Sequence, residues 1–129
     1  SDSPGDAGEA FAAGWRDELI NQTWKTLAEV QPNYHRILLV HVEHPEMSSA
    51  EIAQGLTLEC DKPMTAGNVR VTLHRAREKF SELLVEEVAH SLENPQLEDI
   101  VRELRELHLL PLCETALQRL HPRTDTGIQ

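Results

Sequence analysis

Between Pro63 and Pro95 the chain runs 31 residues without a proline, and apolar side chains recur there at helical spacing. Val69, Leu73, Ala76, Phe80, Leu84 and Val88 follow one another at steps of three or four, which places them on one stripe of a helix. A stripe of that length needs covering, so the rest of the chain must supply apolar faces to lie against it. The remaining prolines punctuate the sequence into segments able to do so.

Residues 11–30 carry Trp15, Leu19, Ile20, Trp24, Leu27 and Val30 near helical spacing, with Gly14 a point of fraying. Pro32 suits the first turn of a second helix running to Val42, with Tyr34, Ile37, Leu38, Leu39, Val40 and Val42 as its apolar residues. Pro45 stops it. Ser48 and Glu51 have capping-box spacing and open a short third helix, with Ile52, Ala53 and Leu56 inward and Gly55 near its end. Residues 57–64 read as a polar connector, after which Thr65 caps the long helix over 66–90. Beyond Asn94 and Pro95, Leu97, Ile100, Val101, Leu104 and Leu107 mark an amphipathic helix. Pro111 sets off a last one bearing Leu112, Ala116, Leu117 and Leu120.

No segment alternates with period two, so the expected fold class is all-α: a small helical domain with a helix-turn-helix plus a C-terminal two-helix extension. The expected division is a linker over 1–10, the helix-turn-helix domain over 11–92, the extension over 93–121 and a disordered tail over 122–129. The amino end shows neither an initiator methionine nor a leader, and the chain reads as a fragment of something longer.

At 129 residues, 40% hydrophobic and 26% charged, the chain can build a core without staples. Its uninterrupted apolar runs, such as Ile37 to Val40, fall far short of the roughly 18 residues of a membrane span, so no membrane partner is expected. Cys60 and Cys113 stand far apart, at neither metal nor redox spacing, and read as free thiols of a cytoplasmic protein. The net charge of −10 argues against indiscriminate coating of nucleic acid, but it is uneven. Residues 46–85 carry five basic and six acidic side chains, whereas 1–45 hold −4 and 86–129 hold −5. Within 70–79, Arg70, Arg75, Arg77 and Lys79 face only Glu78.

On the long helix, the face opposite the apolar stripe carries Val71, Arg75 and Glu78, flanked by Asn68 and Lys79 on one side and Arg70, His74 and Arg77 on the other. Arginine and asparagine can bond base edges bidentately, and Val71 can touch a thymine methyl. Arg77 and Lys79 suit phosphates, which position without specifying. The competing reading is a solvated face, with Arg75 paired to Glu78 and Lys79 to Glu82. His41 and His44, with Glu43 or Glu46 near, lack a third ligand at motif distance, so neither metal nor cofactor is expected. Glu98, Asp99, Glu103 and Glu106 read as the wet face of a helix. No phosphate-cradling glycine loop, nucleophile elbow or triad is visible, and an enzyme is not expected.

A short capped helix, a turn and a long helix with a basic first half is the pattern of a helix-turn-helix DNA reader. Pro32, Tyr34, Arg36, Ile37, Leu38 and Leu39, leading to Ser48, Glu51, Ile52 and Ala53, form one half of a closer likeness. The run from Gly67 to Phe80, with Leu73, His74, Arg75, Ala76 and Arg77 at its centre, forms the other. Together they resemble region four of bacterial RNA polymerase sigma factors of the extracytoplasmic-function group, over about residues 17–88. That resemblance implies promoter DNA and the RNA polymerase core as partners, with an anti-sigma protein as a further one. It also implies DNA contact by Thr65, Asn68, Arg70, Val71, Thr72, His74, Arg75, Arg77 and Lys79, and a role in directing transcription initiation from an upstream promoter element.

The chain differs from that family in a turn lengthened by about six residues over 57–63, and in Val71 and Thr72 where a second basic residue is common. It also holds nothing like the family's region two. The acidic balance, the long turn and Val71 on the outer face favour an alternative: a helix-turn-helix-derived module that binds polymerase or an anti-sigma protein without significant DNA affinity. The extension either packs as core, serves as a protein-binding or self-association surface, or covers the basic helix. The oligomeric state stays open.

Overall fold

Proline and capping residues set the helix boundaries in the computed structural model, which describes residues 4–59 and 63–120. Six helices follow one another, and among the described residues there is no strand. They are α1 (Pro4–Val30), α2 (Pro32–Glu43), α3 (Ser49–Glu59), α4 (Ala66–Ser91), α5 (Leu97–Glu106) and α6 (Leu110–Leu120). The chain is all-α. None of these helices is long and apolar enough to cross a membrane. The expected tail over 122–129, Cys60 and the first three residues of the expected linker lie outside the described residues.

Three boundaries differ from expectation. Residues 4–10, read as linker, are helical, because Pro4 takes a first-turn position where its missing N–H costs no bond. α3 runs past Gly55 to Glu59, taking in the first three residues of the expected connector. Leu56 is buried beyond that glycine, and the Thr57 hydroxyl accepts the Met64 N–H at 2.8 Å, tying the helix end to the far side of the connector. Pro111 does not separate α6 from what precedes it but lies in its first turn.

The chain divides into two compact units, Trp24–Phe80 and Ser1–Thr23 with Ser81–Gln129, and both divisions fall inside helices, α1 and α4. In the first unit Leu27, Ile37, Leu38, Ile52, Ala53, Leu56, Val69, Leu73, Ala76 and Phe80 are buried. Trp24 meets Phe80 at 5.1 Å between ring centroids and the His35 ring edge-on at 5.6 Å. Val42, apolar like its neighbours on α2, is 56% exposed at the last turn.

The expected capping box is formed. The Ser48 hydroxyl accepts the Glu51 N–H at 3.1 Å, and the Glu51 carboxylate accepts the Ser48 N–H at 2.8 Å. These bonds, the backbone one foremost, hold the Glu51 carboxyl below its ordinary range. A lowered folded value means the contribution of this carboxylate is full above its unfolded value and fades as pH falls through the folded one. Ser48→Ala should cost about 0.5–2 kcal/mol, measured by chemical denaturation. Glu51→Ala should cost less, because it removes only the reciprocal bond.

In the second unit Leu19, Leu83, Leu84, Val85, Val88, Ile100, Leu104, Leu107, Leu109, Cys113 and Ala116 are buried, whereas Leu112 is 46% exposed. The α4 stripe expected from sequence is therefore buried along its full length, from Val69 to Val88. α6 is held to α4 by the Ala116 N–H donating to the Ser81 hydroxyl at 3.4 Å and by Arg119 on Glu82 at 2.6 Å. Cys113 is free, and burial pushes its thiol up to about 12. It is thus an inert core group rather than a reactive one.

α5 ends in a Schellman turn. The Leu109 N–H donates to the Leu104 carbonyl at 2.8 Å and the His108 N–H to the Arg105 carbonyl at 3.1 Å, with Leu104 and Leu109 both fully buried. His108 occupies the left-handed position with φ 60°, where glycine is ordinarily favoured. His108→Gly should relieve that strain and raise stability by about 0.5–1 kcal/mol, net of the extra freedom glycine brings to the unfolded chain. Thermal denaturation measures it.

Candidate nucleic-acid interface

The N-terminal half of α4 is fixed by a second reciprocal cap. The Thr65 hydroxyl accepts the Asn68 N–H at 3.1 Å, while the Asn68 side-chain oxygen accepts the Thr65 N–H at 3.2 Å. Two otherwise orphaned N–H groups are satisfied, so the first turn is held on both sides. Val69, Leu73, Ala76 and Phe80 point inward from this turn onward and are buried. With that face fixed, helical periodicity settles the opposite one.

The nine residues expected to meet DNA divide into groups. Arg70, Val71, His74, Arg75 and Arg77 are exposed, and Val71 is 50% accessible despite being aliphatic. Thr65 and Asn68 are exposed too, but they bond each other in the cap. Thr72 and Lys79 are half-buried. Thr72 and Asn68 edge a hollow lined also by Asn33, Tyr34, Ile37 and Leu56.

The cations on this face are not equivalent. Arg77 reaches across to α2, with Nη2 2.8 Å from Nε2 of His41. A guanidinium can only donate, so that ring nitrogen accepts and the proton of the neutral ring lies on Nδ1. Nδ1 is buried and has no hydrogen-bond partner among the described residues. Lys79 has a partner of its own. His74 Nε2 lies 3.6 Å from the Glu78 carboxylate, one turn on. Of the pairs in the solvated-face reading, Arg75 with Glu78 does not form among the described residues, while Glu82 bonds Arg119 and both Glu82 and Lys79 have further partners. Arg70 and Arg75 remain without an ion pair among the described residues.

The two histidines weighed as metal ligands are drawn to different partners. His41 faces a guanidinium, which opposes a second cation, and His44 Nδ1 lies 3.5 Å from Glu46. Among the described residues no three potential ligands gather. On α5, Asp99 is a cap as well as a surface acid: it accepts the Gln96 N–H at 2.9 Å and pairs with Arg102 at 3.3 Å.

Sequence reading missed the bond between His41 and Arg77, which joins positions 36 residues apart and has no local signature. It also took Asn68 only as a base reader. The Thr65–Asn68 spacing matches that of Ser48–Glu51, and the same rule applied to it would have found the second cap. Compared with family models, curated proteins and solved structures, the chain matches none.

Proposed function

We propose that this chain is the DNA-binding part of a cytoplasmic sigma factor, resembling region four of the extracytoplasmic-function group and directing RNA polymerase to an upstream promoter element. The observation that carries the proposal is the outward face of α4. Arg70 and Arg75, exposed and without an ion pair among the described residues, stand on a helix whose start is capped and whose other face is buried. Such a helix is rigid before it binds, so little ordering entropy opposes docking.

In this reading α4 enters the major groove by its N-terminal half and α3 braces it against the backbone. Arg75 reads base edges, and Arg70 contributes charge near phosphate. The focused cations act against an overall charge of −10, so binding is confined to a docked orientation. RNA polymerase core and an anti-sigma protein are the protein partners this role implies.

A second reading is favoured by a separate observation: Leu58 is 88% exposed beside an apolar groove formed by Ala50, Ala53, Thr57 and Met64. In that reading the helix-turn-helix serves as a protein-interaction module without significant DNA affinity. Fluorescence anisotropy of the full chain with labelled duplexes of randomised sequence, over a salt series, separates the two. DNA binding through this face gives affinity that falls linearly in log–log form, with a slope set by a few phosphates. No affinity at low salt excludes the first reading and leaves the second.

A further inference from the structure

We infer that α5 presents a self-association surface, on which a second copy of this chain docks with its own α5 running antiparallel. Five apolar residues mark this helix and its end, and the core beneath takes three of them. Ile100, Leu104 and Leu107 are buried, whereas Leu97 and Val101 stay half-buried. Leu97 and Val101 stand one turn apart and line a hollow with Gln96, Glu98, Arg102 and Arg105. The apolar band of α5 is therefore wider than the packing beneath it requires.

The charges framing that strip are complementary to a copy of themselves. Glu98 and Arg105 are both exposed, without an ion pair among the described residues, and stand seven residues apart. Seven residues are close to two helical turns, about 10.5 Å along one face. Arg102 between them is held by Asp99 at 3.3 Å. The acids that would repel a second copy are turned elsewhere. Asp99 and Glu103 edge a separate hollow with Leu92 and Pro95, and helical periodicity places Glu106 on their side.

An apolar strip with an acid at one end and a base at the other fits itself only when the second strip is reversed. A two-fold axis makes that reversal. Val101 stands halfway between Leu97 and Arg105, so an axis at Val101 sets it on the partner's Val101. The same axis lays the aliphatic stem of each Arg105 over the partner's Leu97, with the guanidinium at the partner's Glu98. Each contact occurs twice. One helix face is small beside the roughly 1,600 Å² of a standard interface, so the association is weak and reversible.

Sedimentation velocity of the full chain, at concentrations rising to about 1 mM, reads this association. The unsubstituted chain should pass from monomer to dimer over that range. Glu98→Arg leaves a face with two bases and Arg105→Glu a face with two acids. Each variant alone should dimerise about tenfold more weakly, because the axis removes both symmetric contacts at once. Mixed in equal amounts, the two variants set acid against base at both ends, and the mixed dimer should form as tightly as the unsubstituted one. Two misfolded variants do not repair each other, so recovery on mixing separates a docked face from a folding defect. A chain monomeric throughout, dimers that neither substitution weakens, or variants that fail to recover on mixing overturn the α5 dimer. All three outcomes leave the DNA-binding reading, which is tested on α4, in place.

Discussion

Leu104→Ala should cost about 2–5 kcal/mol, and removal of everything after Asn94 should cost several. Leu104 is fully buried, and α5, α6 and the turn between them bury Ile100, Leu107, Leu109, Cys113 and Ala116 besides. Each well-buried aliphatic side chain is worth about 1.5–3 kcal/mol, from which the ordering entropy of the removed residues must be subtracted. Truncation also frees the Ser81 hydroxyl and the Glu82 carboxylate from their partners on α6. The extension is thus core of the unit it shares with Ser81–Ser91, and urea denaturation should show both a lower midpoint and a smaller dependence on denaturant. A truncated chain melting at the full-length midpoint would refute this packing.

Arg75→Ala should weaken DNA binding by about 1–3 kcal/mol and relax sequence preference. Arg70→Ala should instead act on all sequences alike, reducing the slope of log affinity against log salt by about one. Arg77→Ala should do less than either, because its guanidinium is already drawn to His41. Anisotropy over a salt series measures all three. Equal losses in the three variants would show that the face acts as undifferentiated charge.

The helices were legible because their signals are local. The α4 stripe, the Ser48 and Glu51 box and the prolines each act within a few residues of where they stand, and the buried set from Val69 to Val88 follows from periodicity alone. The end of α3 was not legible, because Gly55 and Thr57 read as breakers until the tie from Thr57 to Met64 is known. Nor was the inequality among the cations. Arg75 and Arg77 are alike in sequence, and only the approach of His41 from α2 tells them apart. The role of His108 was hidden for a further reason: a Schellman turn ordinarily announces itself by glycine, and here it has none.

DNA recognition through α4 is tested most directly by NMR titration of the isotope-labelled full chain with a duplex that the chain enriches from a random pool. Backbone amide shifts should concentrate between Thr65 and Lys79, with the Arg75 side-chain signals among the most displaced and those of α5 and α6 unmoved. Shifts absent from that stretch, or confined to α5 and α6, would contradict it.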